Sequence, residues 1–398
     1  MLLSLKKKFL TARANLDANF FSLIFLISFL FPLIFLISFL FPFLSDHNPL
    51  TLTRFILSRQ RFHPEATGDL TLVLNSIATA TKSISSAVRR AGLTGLLGLQ
   101  GSSNTSGDDQ KKLDVISNSI FINLLSSTGV VAAIVSEEDE EMIVCPQIVG
   151  ANQKYIIVMD PLDGSSNIDC NGTIGSIFGV FKKDVATKAT DSDALLSGNR
   201  LVCSGYAAFG SSTQLVLAFK EDVKSQTGVN VFTLDPSIGE FVLSAKDLKF
   251  PSSPQRIYSC NEGSLNSFPE FVQTFIHQCK EGPKPYSLRY VGSMIADVHR
   301  TILYGGCFLY PSTASSPAGK LRLLYEGAPM AFLIEAAGGR AVSGSPSLSD
   351  PSTFERILDI QPTKLHQRCA ILLGSNRDID ILETLWRQDN EKRGQKNE

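Results

Sequence analysis

Residues Ile157–Asp169 read IVMDPLDGSSNID, and this stretch decides how the rest of the chain is interpreted. An apolar run leads into Asp160 and Asp163, which flank a proline and a leucine, and a glycine and two serines follow. Two carboxylates this close repel each other unless a proton or a cation lies between them. The pattern predicts a buried strand that ends in a cation site.

Composition indicates a globular protein. The chain has 398 residues, of which 43% are apolar, and this is enough for two domains with a substantial core. The 37 basic and 38 acidic residues nearly balance, so no basic excess points to nucleic acid. Seven cysteines occur without a CxxC pair, which favours free thiols in a reducing compartment over disulfides or zinc.

The N-terminus contains a perfect tandem repeat. The ten letters LIFLISFLFP occupy residues 23–32 and again residues 33–42. The uncharged stretch 20–43 exceeds the roughly 20 residues that cross a bilayer, and Lys6, Lys7 and Lys8 precede it. Three interpretations stay open for residues 1–60: a membrane anchor, a removable targeting peptide, or an artefactual segment without a role. Membrane contact is expected only through residues 20–43.

Periodicity predicts alternating helices and strands after this segment. A helix is expected over Leu70–Val88, capped by Thr67 or Asp69 and ended by Gly92. A mobile loop, Gly92–Gln110, should follow. The other predicted helices are Leu113–Ser127, Ser267–Cys279, Ser293–Tyr304 and Tyr325–Ala337. The predicted strands are Val130–Val135, Tyr155–Met159, Ile174–Phe181, Leu201–Phe209, Val231–Leu234 and Phe241–Leu243, the last two as a hairpin. The order indicates an α/β fold with mixed sheets layered with helices.

Acidic residues recur at the ends of these elements. They are Asp114, Glu137, Glu138, Asp160, Asp163 and Glu326. Carboxylates without histidine or cysteine beside them suit Mg²⁺ or Mn²⁺. The backbone N–H groups of Gly164, Ser165 and Ser166 can bind a phosphate. These features fit metal-assisted hydrolysis of a phosphate ester, although a D-x-x-D pair also occurs in ordinary turns and EED in solvated charge runs.

Four segments resemble the fructose-1,6-bisphosphatase family (class 1), within the superfamily that also contains inositol monophosphatases. They are SEED at Ser136–Asp139, DPLDGSSNIDC at Asp160–Cys170, RYVGSMIADVHRT at Arg289–Thr301 and GKLRLLYEGAPMAFLIEAAGG at Gly319–Gly339. The resemblance implies the sugar phosphatase fold, an α-β-α-β-α sandwich. It also implies a regulatory and metal-binding domain at 61–245 and a substrate-binding domain at 246–398.

The resemblance assigns a role to each site residue. The implied metal ligands, for two to three Mg²⁺ or Mn²⁺ ions per subunit, are Glu137, Asp160, the Leu162 carbonyl, Asp163 and Glu326. Asp114 and Glu138 would orient and deprotonate the attacking water. The implied contacts of the 1-phosphate, the 6-phosphate and the sugar are, in turn, Gly164, Ser165 and Ser166; Asn261, Tyr290 and Tyr310; and Met294 and Lys320. Arg289 would reach the substrate of a neighbouring subunit, which implies a homotetramer.

Two regulatory features follow from the same resemblance. The loop before the second helix resembles a dynamic loop that closes with Asp108 near the metals, anchored by Lys111 and Lys112. An inhibitory AMP would bind at the start of the first helix, and the implied contacts are Thr67, Gly68, Asp69, Leu70, Thr71, Lys154 and Tyr155. Asp69 replaces the glutamate of the family pattern and shortens one side chain of this site.

The expected activity is hydrolysis of fructose 1,6-bisphosphate to fructose 6-phosphate, in gluconeogenesis, the Calvin cycle, or sucrose or starch synthesis. Alternatives are sedoheptulose-1,7-bisphosphatase or another sugar or inositol phosphatase, and a catalytically weak protein that senses sugar phosphates or AMP. Ser264 departs from the family pattern and weakens one predicted 6-phosphate contact. The connection Lys182–Arg200 lacks the cysteines of the light-regulated form, which indicates a plant-like isoform without that switch. The expected location is the chloroplast stroma, with the cytoplasm as the alternative.

Overall fold

Apolar runs become strands in the computed structural model, which describes residues 49–103, 109–148, 152–183 and 188–396. In chain order the strands are β1 (Leu99–Ser103), β2 (Asp109–Lys111), β3 (Val131–Ser136), β4 (Ile143–Val144), β5 (Tyr155–Asp163), β6 (Ile174–Lys182), β7 (Leu201–Phe209), β8 (Thr213–Phe219), β9 (Val229–Asp235), β10 (Glu240–Leu248), β11 (Ile257–Ser259), β12 (Ser287–Leu288), β13 (Cys307–Tyr310), β14 (Leu321–Arg322), β15 (Arg340–Pro346), β16 (Phe354–Arg356), β17 (Arg368–Cys369) and β18 (Ile371–Gly374). All predicted strands are present, and the predicted hairpin is β9–β10.

Two large sheets organise these strands. The first has eight strands in the order β10-β9-β8-β7-β6-β5-β3-β4, and the second has six in the order β12-β11-β13-β18-β15-β16. The neighbours β3 and β5 run parallel, as do β11 with β12 and β11 with β13, whereas the other pairs in both sheets are antiparallel. The expectation of mixed sheets is therefore confirmed.

Helices cover both faces of the sheets. They are α1 (Leu52–Gln60), α2 (Asp69–Thr94), α3 (Lys112–Ser126), α4 (Asp191–Ala194), α5 (Lys220–Ser225), α6 (Glu270–Glu281), α7 (Met294–Tyr304), α8 (Ala328–Ala336) and α9 (Asn376–Lys396). Helices α1 to α3 contact the first sheet, α7 and α8 contact strands of both sheets, and α6 and α9 pack against the second. This order of layers is the expected α-β-α-β-α sandwich.

The core lies mainly between the two sheets. Helix α8 is almost entirely buried there, and its apolar residues join side chains of both sheets in one cluster. A helix that is apolar on all sides needs such a two-sided burial. This middle layer joins the two halves of the chain, so residues far apart in sequence can share one site.

The fold begins earlier in the chain than the sequence predicts. Residues 1–60 are expected to lie outside the fold, but 52–60 form α1. Phe55 on this helix is 3% exposed, and its ring centroid lies 5.2 Å from that of Phe232. Arg59 Nη2 lies 2.9 Å from the carboxylate of the buried Asp222. Thr51 caps α1 through a hydrogen bond from Arg54 N–H, and this capping residue is the sequence signal that could have predicted the helix.

The ends of α2 also differ from the prediction. Gly68, with φ of 87°, precedes its first residue, and neither Thr67 nor Asp69 supplies a side-chain cap. The helix continues through Gly92 and ends before Gly95, where φ is 70° and the left-handed conformation favours glycine. Part of the predicted loop Gly92–Gln110 is therefore helical, and another part pairs as β1 and β2.

Two expectations fall on residues that the structure does not describe. The repeat within residues 20–43 lies outside the described residues, and so does Asp108. Among the helices that the structure does describe, none combines the length and the apolar character needed to cross a bilayer.

Candidate active site

The end of β5 turns two acidic side chains into one cavity. On a regular strand, side chains three positions apart point to opposite faces of the sheet. The pairing of β5 with β6 shifts register between Asp160 and Asp163, where Pro161 lacks the N–H group that a ladder needs. Ser176 Oγ donates to the Pro161 carbonyl at 2.7 Å and stabilises this irregular turn. As a result, both aspartates line the same cavity.

A third carboxylate comes from the other half of the chain. Glu326 lies in a single π-helical turn, Leu323–Gly327, which leads into α8. Such turns are frequent at functional sites. One oxygen each from Asp160, Asp163 and Glu326 lies within 4.8 Å of the other two. One cation could therefore contact all three side chains.

The predicted metal ligands and catalytic groups line one cavity of about 500 Å³. These residues are Asp114, Glu137, Glu138, Asp160, Leu162, Asp163 and Glu326. The predicted substrate contacts that line it are Gly164, Ser165, Ser166, Tyr290, Met294, Tyr310 and Lys320. Asn261 and Arg289 do not line it, and both side chains are exposed. The structure thus brings together all but two of the metal, catalytic and substrate residues named from the sequence.

Parallel pairing brings Glu137 and Glu138 to the cavity. Strand β3 runs beside β5, and the N–H of Glu137 donates to the Met159 carbonyl at 3.1 Å, so both strands end at the same edge. Arg322, which the sequence analysis missed, has Nη2 3.0 Å from Glu137 Oε1, and its backbone N–H donates to Glu326. Its position in the motif GKLRLLYEG, four residues before Glu326, was the available signal.

Burial and crowding raise the pKa values of these carboxylates. Burial, followed by the charge of Glu137, raises the pKa of Glu326 to about 8. Burial likewise raises the pKa of Asp163 to about 6 and that of Asp160 well above its ordinary value. Without a cation, Glu326 therefore holds a proton at neutral pH. A cation that binds Glu326 must displace this proton.

Asp114 titrates in the range useful for proton transfer. Its carboxylate accepts a hydrogen bond from Lys111 N–H at 2.7 Å at the start of α3. Burial, with a smaller contribution from the charge of Glu137, raises its pKa to about 7, although the hydrogen bond from Lys111 N–H and the interaction with Ser165 oppose the shift. A group that titrates near the working pH is well suited to general acid–base catalysis.

The N-terminus of α7 holds Asp163 in place. Ser293 Oγ and Ile295 N–H both donate to Asp163 Oδ2, at 3.2 and 3.1 Å. Gly164, with φ of 76°, packs so closely that a Cβ there would lie 2.7 Å from Ser293 Cβ. Only glycine fits this position, because both the conformation and the space exclude a side chain. The turn Ser165–Asn167 follows directly and lines the cavity through its two serines.

Asp169 links the β1–β2 hairpin to this turn. Lys111 Nζ lies 2.7 Å from Asp169 Oδ2, and the N–H of Gly98 donates to Asp169 Oδ1 at 3.0 Å. Lys111 also lines the cavity, whereas Lys112 donates to the Gly95 carbonyl and does not line it. Asp169 was missed as a partner because its two contacts are far away in sequence.

A second, smaller cavity of about 230 Å³ lies at the start of α2. All the predicted AMP contacts line it: Thr67, Gly68, Asp69, Leu70, Thr71, Lys154 and Tyr155. Lys154 Nζ lies 2.5 Å from Asp69 Oδ2 and donates to Thr67 Oγ1 at 2.7 Å. Arg59, Lys182 and Lys220, which the sequence analysis did not name, add three cations to the lining.

Known proteins resemble this chain over nearly all of the described region. The family model "Fructose-1-6-bisphosphatase, N-terminal domain" matches residues 50–246, and the model of the C-terminal domain matches residues 251–387. Cytosolic fructose-1,6-bisphosphatase of Arabidopsis thaliana is 47% identical over 347 residues, covering 86% of this chain and 96% of the relative. Fructose-1,6-bisphosphatase 1 of Rattus norvegicus is 46% identical over 356 residues, covering 87% and 93%.

A solved structure agrees with these relatives. The crystal structure of Leishmania major fructose-1,6-bisphosphatase in holo form matches with a TM-score of 0.76 and 43% identity. The match covers 85% of this chain and 99% of that chain.

The expected chloroplast location is wrong. The Arabidopsis relative carries the name cytosolic, and so does the relative from Oryza sativa subsp. indica, which is 48% identical over 341 residues. The absence of redox cysteines in Lys182–Arg200, noted above, agrees with this correction. The expected role in the Calvin cycle depends on the stromal location, so it is not retained.

Proposed function

The chain belongs to the fructose-1,6-bisphosphatase family, and we propose that it hydrolyses the 1-phosphate of fructose 1,6-bisphosphate in the acidic cavity. It is a phosphatase that acts on a sugar bisphosphate. The observation that carries the proposed site is the approach of Asp160, Asp163 and Glu326 within 4.8 Å. Without a cation or a proton between them, carboxylates at this spacing would repel one another, and two of the three, Asp160 and Glu326, are buried.

The residues present fit a hard divalent cation. The cluster offers only carboxylate oxygens, and their raised pKa values show that the site favours added positive charge. We propose that Asp160, Asp163, Glu326 and Glu137, with the Leu162 carbonyl, hold two to three Mg²⁺ or Mn²⁺ ions. When bound, such ions neutralise phosphate charge and lower the pKa of water.

The chain's own groups divide the remaining work. Glu138 and Asp114 would orient the attacking water and accept its proton, and the pKa of Asp114 near 7 suits this exchange. The N–H groups and hydroxyls of Ser165 and Ser166 would hold the phosphate that leaves. Tyr290 and Tyr310 would bind the distal phosphate through their hydroxyl groups. These groups are uncharged and would not attack the phosphate.

Two predicted contacts require a different arrangement. The exposed Arg289 donates to the carbonyl of the preceding residue, Leu288, and Asn261 accepts from Gly263 N–H. We propose that Arg289 serves the cavity of a neighbouring subunit in a homotetramer. Asn261, with Ser264 beside it, would complete the distal phosphate site of its own subunit.

A substrate comparison tests the proposed reaction. Purified protein with Mg²⁺ should release phosphate from fructose 1,6-bisphosphate with a kcat/KM in the ordinary enzyme range, above about 10⁴ M⁻¹s⁻¹. Sedoheptulose 1,7-bisphosphate and inositol monophosphate are the matched alternatives. Faster turnover of either would replace the proposed substrate, and tight binding without turnover would indicate a sensor.

We also propose a cytosolic isoform without the light-regulated thiol switch, acting in gluconeogenesis and sucrose synthesis. All seven cysteines are free thiols, and six of them are buried. Equal rates in the same assay with and without a dithiol reductant would support this assignment.

The second cavity supports inhibition by AMP. We propose that the AMP phosphate competes with Asp69 for Lys154 at the start of α2, where backbone N–H groups favour anions. Lys154→Met should therefore raise the half-inhibitory AMP concentration by about tenfold, with an unchanged KM for the bisphosphate. Steady-state kinetics with AMP measure this change.

Lys82→Met is the control for this prediction. Lys82 pairs with Glu240 at 3.0 Å and does not line the second cavity. The control should keep its AMP sensitivity. Equal sensitivity of wild type and Lys154→Met to AMP would show that AMP does not bind in this cavity.

A further inference from the structure

One short segment touches both ends of the acidic cavity. Arg289–Ser293, here called the joining segment, connects β12 to α7. Its Tyr290 lines the cavity at the proposed distal phosphate site. Its Ser293 donates to Asp163 Oδ2 at 3.2 Å, at the proposed metal site. Small movements of this segment would therefore change the distance between the two sites.

Two charged residues of α7, Asp297 and Arg300, bind backbone groups of the joining segment. Asp297 is fully buried, and its Oδ2 accepts the N–H of Val291 at 3.2 Å. Arg300, one turn later on α7, donates from Nη2 to Asp297 Oδ1 at 2.6 Å and to the Arg289 carbonyl at 2.8 Å. The pair thus binds backbone groups at two points of the joining segment.

Arg300 also fixes the segment to the second sheet. The same Nη2 lies 2.6 Å from Ser259 Oγ, so its two hydrogens are shared among three acceptors, and Ser259 is the last residue of β11. Asn261, a predicted distal phosphate contact, follows two residues later. One guanidinium therefore connects the Tyr290 side and the Asn261 side of that proposed site.

Neither charged residue lines the cavity, so neither can act by touching the substrate. Burying this ion pair costs free energy of desolvation, which good geometry must offset. The groups outside the pair that Asp297 and Arg300 bind through these side-chain contacts all belong to the joining segment or to β11. The contacts of the pair are concentrated on the elements that form the distal end of the cavity.

We propose that Asp297 and Arg300 are positioning residues that set the distance between the metal-binding carboxylates and the distal phosphate site. This inference rests on the proposed function. The pair makes the cavity selective for a bisphosphate of one length. It acts on binding of the distal phosphate more than on the chemical step.

Conservative variants test this inference. Arg300→Lys keeps the charge but loses the planar guanidinium that places Nη2 within hydrogen-bond distance of three acceptors. Asp297→Asn keeps an acceptor for Val291 N–H but weakens the pair. Each variant should raise KM for fructose 1,6-bisphosphate by about tenfold, with kcat within about threefold of wild type. Fructose 6-phosphate should bind correspondingly more weakly by calorimetry, whereas Mn²⁺ affinity should stay within about twofold.

Arg356→Lys is the matched control. Arg356 makes a two-pronged contact with Glu335, at 2.8 and 2.6 Å, and does not line the cavity. Its loss should lower Tm without changing KM. A raised KM in the control, or an unchanged KM in Arg300→Lys and Asp297→Asn, would overturn the inference.

Two further outcomes are distinguishable. If both α7 variants unfold at 25 °C while Arg356→Lys remains folded, the pair is structural and the inference fails. If the wild type itself does not hydrolyse fructose 1,6-bisphosphate, the proposed function fails instead. A KM effect confined to the α7 variants supports the inference.

Discussion

Asp160→Asn should lower kcat for fructose 1,6-bisphosphate by about 10⁴-fold. Asp160 is 2% exposed and shares its site with Asp163 and Glu326. Asparagine has nearly the same shape, so the fold should persist, but the site loses one negative charge and one strong oxygen ligand. Phosphate release with Mg²⁺ measures the rate, and titration with Mn²⁺ measures metal binding, which should weaken in parallel.

Product binding separates this loss from unfolding. Fructose 6-phosphate has no 1-phosphate and should still bind to Asp160→Asn through the distal end of the cavity. Asp235→Asn is the control, because Asp235 is the last residue of β9, does not line the acidic cavity and contacts Ser237 in the following turn. Its kcat should match that of the wild type. Activity of Asp160→Asn above about 1% of wild type would contradict the proposed metal site.

Glu326→Gln should abolish activity and yet stabilise the metal-free protein at pH 8. The pKa of Glu326 is about 8 in the folded protein, against 4.5 for an unperturbed glutamate. The folded state therefore binds a proton that the unfolded state releases, so stability falls as pH rises from about 4.5 to about 8. Glutamine does not titrate, so the variant should lose this dependence. With a chelator at pH 8, its Tm should exceed the wild-type value by about 2 °C or more.

Glu335→Gln is the control for metal binding. Glu335 is half-buried on α8, pairs with Arg356 at 2.6 Å and does not line the acidic cavity. Mg²⁺ should stabilise the wild type and Glu335→Gln but not Glu326→Gln. A metal-free Tm of Glu326→Gln below wild type at pH 8 would contradict the assigned electrostatics.

Local patterns predicted most of the elements. Strand β7 runs from Leu201 to Phe209, as its apolar run predicts, and the DPSIG turn joins β9 to β10. Helix α1 was missed because residues 1–60 were set aside together on account of the repeat at 23–42. Its apolar residues at 52, 55 and 56 can be recognised as core residues only when the tertiary structure places the helix against Phe232 and the first sheet.

The site shows the same division. Asp160 and Asp163 were recognisable because their spacing around Pro161 is local. Arg322, Asp169 and the Asp297–Arg300 pair escaped notice because a charged residue reveals no role until its partner is known. Their partners lie on other strands or loops, such as Glu137 for Arg322.

The chemistry of this protein can be predicted from short segments, because the two aspartates and the small-residue turn that indicate a cation and phosphate site are neighbours in the chain. Which carboxylates share that site, how strongly burial raises their pKa values, and which residues set the length of the cavity depend on the packing of two sheets around α8. Side chains from opposite halves of the chain meet only there. Distances and desolvation belong to that packing, and no local pattern in the sequence encodes them.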